Sequence, residues 1–181
     1  MIYPPRPTHA IPPDALKRYE TWGWDFQPKY NGICTVVRVG DASYTRKGSR
    51  MYKEFNLPLP NDTVVVGELM KDDHLMIFDI LQWGNVGLVG TCWGFRKELL
   101  HELARTKLAS RYDVSVVRNT EHISILDFWE DIRRHYAGGD VIEGIVLRDP
   151  HGVLEHCDEA KANKTWILKC RFPNAKKGIG C

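Results

Sequence analysis

Three apolar runs of strand length constrain the fold of this 181-residue chain more than any other feature. They span Ile33 to Val39, Val64 to Met70 and Leu75 to Ile80, and each is rich in β-branched residues. Turn residues such as Gly40-Asp41 and Lys71-Asp72-Asp73 separate them. Short apolar runs bounded by such residues are typical of strands joined by tight connections. The pattern predicts an antiparallel sheet.

The remaining periodic segments predict helices and further strands. Apolar residues recur at helical spacing from Gly94 to Leu108 and from Ile125 to Tyr136, and a shorter helix is predicted from Asp14 to Glu20. Strand-like runs return at Val114 to Arg118, Gly144 to Arg148 and Trp166 to Cys170. The order of strands, helix, strand, helix and strands predicts an α+β fold with antiparallel sheets flanked by helices.

The composition is that of a globular protein with one sizeable core, because 43% of the residues are hydrophobic and 27% are charged. Five prolines within the first 13 residues predict an extended start. We expect residues 1–24 to form a lead-in that packs on one domain formed by residues 25–181. The formal charge of +2 selects no partner, so any nucleic-acid contact must come from local basic clusters.

The cysteines and the N-terminus bear on location. The five cysteines are odd in number and form no CxxC pair, which favours a reducing, intracellular compartment over a disulfide framework or a thiolate zinc site. The N-terminus lacks the apolar core of a signal peptide, and no run is long enough to span a bilayer. We therefore expect a cytoplasmic protein with no membrane partner.

Lys29 stands between Pro28 and the pair Asn31-Gly32, directly before the strand-like run that starts at Ile33. Asn-Gly between two strand-like runs is the strongest local signal for a two-residue hairpin turn, whose central residues take φ > 0. On that interpretation Lys29 is a solvated surface charge. The alternative is a lysine that the turn presents for chemistry.

Several charged residues interrupt or end the apolar strands, and a charge in a strand most often faces solvent. By alternation, Glu68 and Asp79 face water while their neighbours face the core. Taken together, however, a lysine at a turn, two carboxylates at strand ends and a closing pair of cations suit attack on the α-phosphorus of a nucleoside triphosphate. The candidate residues are Lys29, Glu68, Asp79, Glu143, Lys169 and Arg171, and the three acidic ones are the candidates for the two carboxylates.

In such a site the Lys29 amine would be the nucleophile. It must lose its proton to attack, so nearby cations, Mg²⁺ or burial must favour the neutral amine. Lys169 and Arg171 would supply part of that positive field. A carboxylate such as Glu143 would hold a hydrated Mg²⁺, because this ion keeps several waters and takes only one or two protein carboxylates.

Six short motifs follow one another from Lys29 to Arg171: "KYNG" (29–32), "YTRKG" (44–48), "VGEL" (66–69), "IFDIL" (77–81), "EGIVLR" (143–148) and "WILKCR" (166–171). The set resembles the ordered motifs of the covalent nucleotidyltransferase superfamily, which comprises ATP-dependent DNA ligases, RNA ligases and mRNA-capping guanylyltransferases. The helix "GFRKELLHEL" after "FDIL" resembles the ligases more than the capping enzymes.

The resemblance implies a ligase-type nucleotidyltransferase (adenylation) domain of ATP-grasp-like fold, in which Lys29 becomes covalently joined to AMP from ATP. Glu68 would bind the ribose hydroxyls and Phe78 would stack on the purine. Glu143 would place the Mg²⁺ ion, for which Mn²⁺ could substitute.

The phosphate-binding roles follow from the same resemblance. Lys169 and Arg171 would contact the α-phosphate. Arg46, which matches the ligase Ser-Arg-Asn-Gly element, would bind the 5′-phosphate of the strand being joined, since arginine binds phosphate bidentately. The implied substrate is a nucleic acid with 5′-phosphate and 3′-hydroxyl ends.

Three residues depart from the DNA ligase pattern. Asn31 replaces a commoner aspartate, which leans towards RNA ligases; Cys34 stands where many DNA ligases carry arginine; and Arg148 replaces the usual lysine, which keeps the charge but changes its geometry. The "FDIL" helix and "WILKCR" lean towards DNA, so DNA is favoured over RNA.

Residues 172–181 leave no room for the five-stranded OB-fold domain that clamps the substrate in this superfamily. We therefore expect slow self-adenylation, or dependence on a separate OB-fold or other partner protein. Two alternatives stay open: a capping-type guanylyltransferase, and a non-catalytic module that binds nucleotide or nucleic acid without a covalent adduct.

Overall fold

The computed structural model describes residues 3–117, 123–136, 138, 140–156 and 163–173. The helices are a short 3₁₀ turn at Pro13–Ala15, α1 (Leu16–Thr21), α2 (Trp93–Thr106) and α3 (Ile125–Tyr136). The strands are β1 (Arg6–Ala10), β2 (Asp25–Tyr30), β3 (Ile33–Arg38), β4 (Ser43–Thr45), β5 (Val64–Leu69), β6 (Leu75–Trp83), β7 (Val86–Gly87), β8 (Val114–Val116), β9 (Ile142–Arg148) and β10 (Asn163–Arg171). Within these ranges, no helix has the length and apolar character needed to cross a bilayer.

The strands form two sheets. Sheet A has the order β1-β10-β9-β2, and sheet B has the order β4-β3-β5-β6-β7 with β8 added beside β6. All pairs are antiparallel except β1 with β10 and β8 with β6. The predicted antiparallel sheets flanked by helices are therefore confirmed, and the three apolar runs that open the sequence argument are β3, β5 and β6.

One face of sheet A is covered by α1 and α3. The helix α3 buries Ile125, Trp129 and Ile132 on one stripe, against strand residues that include Ile145 and Leu147. Its first turn is capped, because the Asp127 N–H donates to Ser124 Oγ at 3.0 Å. The other face of sheet A is left for sheet B, and the candidate site lies where the two sheets meet.

The predicted hairpin at Asn31-Gly32 is wrong. The strands on its two sides belong to different sheets: β2 pairs with β9, whereas β3 pairs with β4 and β5. Gly32 does not take a positive φ. It is needed for close approach instead, since a Cβ atom there would lie 2.3 Å from the carbonyl oxygen of Leu69. The pair therefore carries the chain from sheet A to sheet B directly after Lys29.

Two further segments differ in detail from what the sequence predicts, one near the N-terminus and one after α2. The proline-rich start contains a strand, β1, that pairs in parallel with β10. The strand predicted from Val114 to Arg118 ends at Val116, and Arg118 lies outside the described residues.

Gly144 follows Glu143 at the start of β9 and lies in tight contact with β10. Its φ is +148°, and a Cβ atom there would lie 2.0 Å from the carbonyl oxygen of Cys170 and 2.8 Å from Cα of Arg171. Both atoms belong to the backbone and cannot rotate away. The closeness of β9 and β10 at this point therefore depends on glycine.

We expect Gly144→Ala to lower the free energy of unfolding by about 3 kcal/mol or more, because an inserted methyl group must push two paired strands apart. Urea unfolding followed by circular dichroism measures this. The control is Gly87→Ala, since Gly87 has no positive φ and open space around it. Equal urea midpoints for Gly144→Ala and the unaltered chain would show that β9 and β10 can separate at no cost.

Candidate active site

Lys29, Glu143 and Arg171 meet on sheet A. In the strand register, Lys29 lies opposite Gly144, and Gly144 lies opposite Arg171. The Lys29 Nζ forms an ion pair with Oε1 of Glu143, and Arg171 Nη2 donates to the same oxygen at 3.0 Å. The Glu143 side chain is only 3% exposed. A buried carboxylate between two cations is thus the centre of this group, and residues 29, 143 and 171 are brought together as the sequence predicted.

Glu68 approaches the same group from sheet B. Its Oε1 accepts a hydrogen bond of 3.1 Å from the backbone N–H of Gly32. Burial raises the pKa of Glu68, and the nearby Lys29 amine and the Gly32 N–H offset that effect only in part. Burial without full compensation is costly for a carboxylate. Such a group is poised to accept hydrogen bonds from a ligand.

The glycine before Glu68 has a packing reason of its own. A Cβ atom at Gly67 would lie 2.8 Å from the Leu75 side chain and 2.9 Å from the carbonyl oxygen of Met76. The strands β5 and β6 are therefore pressed together next to Glu68.

Arg46 lies just after β4, and its backbone N–H donates to the Cys34 carbonyl at 3.2 Å. Its Nη2 donates to the carbonyl oxygen of Pro5 at 3.4 Å. The buried Nε atoms of Arg46 and Arg171 have no acceptor among the residues that the structure describes. Guanidinium donors of this kind suit a phosphate, which supplies several acceptor oxygens.

Lys169 and Arg171 are separated by Cys170 along β10, and the alternation of the strand places the two cations on one face and the thiol on the other. Cys170 is fully buried in the core under α1 and α3. Burial raises the pKa of the Cys170 thiol to about 12, so this thiol is unreactive at neutral pH. Lys169 lies opposite Val146 of β9, on the face that carries Lys29.

Asp79 does not face solvent as strand alternation predicted. It is fully buried, and it accepts hydrogen bonds from Arg96 Nε at 2.9 Å and from Arg148 Nη1 at 3.0 Å. Burial alone raises the pKa of Asp79, but the two guanidinium groups outweigh it and hold that pKa below its ordinary value. These three residues, here the Asp79 cluster, join β6 to α2 and to β9.

Sequence reasoning missed Arg96 as part of this cluster. The available signal was an arginine on the buried stripe of α2, between Trp93 and Leu100, where an apolar residue is the rule.

Phe78 precedes Asp79 on β6 and is half-buried. Its ring centroid lies 5.6 Å from the guanidinium carbon of Arg148. Phe78 falls at an irregularity of the pairing between β5 and β6, because Val66 pairs with Asp79 and Gly67 with Ile77. Its contact with Arg148 of β9 places the ring where the two sheets meet.

A separate cleft of about 630 Å³ lies between β2, β8 and the end of α2. Its lining includes Tyr30, Leu108 and Phe128 but none of the predicted site residues 29, 46, 68, 78, 143, 169 and 171. The chemistry suggested by the charged residues belongs to the space between the sheets and not to this cleft.

No protein-family model matches the chain, and no curated protein matches its sequence significantly. Solved structures do match its fold. Mycobacterial DNA ligase D in complex with ATP and MES matches with a TM-score of 0.66 at 15% identity, over 94% of this chain and 60% of that chain. The ATP-dependent DNA ligase from bacteriophage T7, in complex with ATP, matches with a TM-score of 0.57 at 12% identity, over 91% of this chain and 67% of that chain.

Chlorella virus DNA ligase-adenylate matches with a TM-score of 0.54 at 14% identity, over 92% of this chain and 67% of that chain. The chain thus shares its fold with these DNA ligase structures. The chain spans only 60% of the length of the mycobacterial ligase structure.

The raised pKa of Glu68 predicts a pH-dependent cost in stability. A carboxyl group whose pKa is higher in the folded than in the unfolded chain binds more protons when folded, so stability falls as the pH rises from the unfolded pKa through the folded one. We expect Glu68→Gln to be more stable than the unaltered chain at pH 7, with the difference shrinking towards pH 4. Thermal unfolding of both proteins across this range measures it.

Glu102→Gln, on the exposed side of α2, is the control and should show little difference at any pH. A Glu68→Gln variant that is less stable at pH 7 would mean that the Lys29 and Gly32 contacts outweigh the cost of burial.

Proposed function

We propose that this chain is the adenylyltransferase domain of an ATP-dependent polynucleotide ligase, with Lys29 as its nucleophile. The observation that carries the proposal is the contact of Lys29 with the buried Glu143 carboxylate and its partner Arg171, near Glu68 on the other sheet. The fold adds support, because it is shared with DNA ligases that were solved with ATP or as the adenylate.

In the first step the Lys29 amine attacks the α-phosphorus of ATP. A nitrogen–phosphorus bond forms, the bond from the α-phosphorus to the pyrophosphate oxygen breaks, and the amine loses its proton. Glu143 orients the amine before attack through their ion pair. Arg171 and Lys169 provide positive charge for the α-phosphate, where negative charge develops.

The nucleoside is held by residues of sheet B. Glu68 accepts hydrogen bonds from the ribose hydroxyls, and Phe78 stacks on the purine. Sheet A would thus contact the α-phosphate, and sheet B would hold the nucleoside. The ATP-grasp-like relation of these sheets stays a prediction.

In the later steps AMP passes from Lys29 to a 5′-phosphate, and a 3′-hydroxyl displaces it to form a phosphodiester bond. Arg46 binds that 5′-phosphate, and its buried, unpaired Nε suits the role. The "WILKCR" segment and the helix after "FDIL" favour DNA over RNA as the nucleic acid. A separate OB-fold or other partner protein remains part of the proposal.

The carboxylates of the site fit Mg²⁺. No group of three or more His, Cys, Asp or Glu side chains within the described ranges could hold a metal by itself. Glu143 and Glu68 are close enough to influence each other electrostatically, and Mg²⁺ takes one or two carboxylates together with substrate phosphates. Glu143 would hold the ion, which neutralises charge on the triphosphate when bound.

We expect a gain of one AMP in the intact mass of the protein after incubation with ATP and Mg²⁺, and no gain in Lys29→Ala, which lacks the nucleophile. Lys97→Ala is a closely matched control, because Lys97 is also 17% exposed and also ion-paired, in its case with Asp25 at 3.1 Å. It should still gain AMP.

The same measurement separates the alternatives. A GMP adduct from GTP in place of AMP would favour a capping-type guanylyltransferase. Binding of ATP with no adduct over many hours would favour a non-catalytic module.

We expect Arg46→Ala to slow AMP transfer to the 5′-phosphate of nicked DNA by roughly 10-fold or more, because a charge-assisted contact to phosphate is lost. Transfer is followed by gel electrophoresis, starting from protein that already carries AMP. Arg50→Ala is the control, since Arg50 is exposed and paired with Glu54. Equal transfer rates for Arg46→Ala and Arg50→Ala would remove Arg46 from the proposal, and nicked RNA in parallel reports the choice of nucleic acid.

A further inference from the structure

Arg148 ends the strand that begins beside Glu143, and its described hydrogen bond and ring contacts are with sheet B and α2. Its Nη1 donates to Asp79 at 3.0 Å, and its guanidinium carbon lies 4.2 Å from the centroid of the Trp93 ring and 5.6 Å from that of Phe78. The residue is 4% exposed. One planar cation therefore touches the carboxylate of Asp79 and the ring of its neighbour Phe78 at the same time.

The unpaired Nε of Arg148 shows that ion pairing alone does not determine this placement. This atom is buried, and no described residue accepts a hydrogen bond from it. Arg96 donates two hydrogen bonds to the Asp79 carboxylate, through Nε and Nη2. If Arg148 were present only to pair with Asp79, a second hydrogen bond of this kind would strengthen the pair. Arg148 instead offers one N–H to Asp79 and stays close to the two rings.

Phe78 is the residue that this arrangement affects most. Trp93 is fully buried in the core, whereas Phe78 is half-buried between the sheets. Because Phe78 is only partly buried, the contacts of its buried part support its orientation. Arg148 gives that support from sheet A, the sheet that also carries Lys29.

We propose that Arg148 is a positioning residue for the purine, acting through Phe78: its guanidinium, anchored on Asp79 and Trp93, fixes the ring on which the base stacks. This inference rests on the proposed function in one respect, namely that Phe78 carries the base. A lysine at this position would keep the charge next to Asp79 but would lose the flat contact with the rings.

The test is a double-mutant cycle on nucleotide binding, read by calorimetry with α,β-methylene ATP, an analogue that cannot release pyrophosphate. We expect Arg148→Lys to weaken binding by roughly 3- to 10-fold, the loss of one desolvated cation–π contact. Phe78→Ala should weaken it by roughly 10-fold through lost stacking. The double variant should bind no more weakly than Phe78→Ala alone, because Arg148 acts only through that ring.

Arg96→Lys is the matched control, because Arg96 pairs with the same carboxylate and stacks on Trp93 and Trp166, with no described contact to Phe78. It should lower the melting temperature without changing the affinity for the analogue. In self-adenylation, Arg148→Lys should raise the half-saturating ATP concentration and leave the rate at saturating ATP within about twofold.

The possible outcomes test the positioning role of Arg148 and the adenylation of Lys29 separately. Unchanged affinity in Arg148→Lys, an equal loss in the Phe78→Ala background, or the same loss in Arg96→Lys would overturn the positioning role and leave adenylation by Lys29 intact. Analogue binding that follows the expected cycle, with no AMP adduct on the unaltered chain, would overturn adenylation and leave the positioning role intact. No binding of the analogue to the unaltered chain would overturn both.

Discussion

The structure depends on one buried carboxylate, Asp79, which two guanidinium groups hold from different directions. A lone buried charge is prohibitively costly, and even a paired one recovers its desolvation cost only with good geometry. Here Arg96 comes from α2 and Arg148 from β9, so the carboxylate can be satisfied only when β6, α2 and sheet A are all in place. The Trp93 ring lies beside both guanidinium groups, at 5.7 Å and 4.2 Å, and its face offsets part of their excess positive charge. This one cluster therefore ties β6, α2 and sheet A together.

Three glycines allow neighbouring strands to approach closely next to the site residues. Gly32, Gly67 and Gly144 each stand next to, or within a few residues of, a site residue, and at each of them a Cβ atom would lie under 3.0 Å from another strand. The charged side chains of residues 29, 68 and 143 therefore leave the backbone at points where two strands are in contact. Backbone packed against backbone moves less than a side chain on an open edge, so the Lys29, Glu68 and Glu143 groups are held by the rigid part of the fold. All three positions therefore require glycine.

The sequence predicted the long apolar strands and the amphipathic helices because the residue patterns that determine them are local. Runs of β-branched residues gave β3, β5 and β6, and the spacing of Ile125, Trp129 and Ile132 gave α3. Charges within apolar strands also marked Glu68, Glu143 and Arg171, which the fold brings near Lys29. What failed was pairing over long distances in the chain. Asn31-Gly32 is a local turn signal and carries no information on which sheet receives each strand, so the hairpin was wrong. Alternation likewise could not show that Asp79 meets Arg148, 69 residues away, and is buried.

The charge balance between the sheets connects stability to the proposed chemistry. Among the described contacts, the three cations Lys29, Arg46 and Arg171 stand against the two carboxylates of Glu68 and Glu143, a formal excess of one positive charge. Partly buried like charges repel each other, which lowers the stability of the fold. The buried Nε atoms of Arg46 and Arg171 lower it further, because no described residue accepts a hydrogen bond from them. Under the proposed function, a bound triphosphate would relieve both, since it brings negative charge and many acceptor oxygens. It would also bring more negative charge than the excess can neutralise, and a divalent cation at Glu143 would offset part of the remainder. On the proposed function, the burial that raises the pKa of Glu68 has a direct chemical use, because the ribose hydroxyls would donate hydrogen bonds to this carboxyl group.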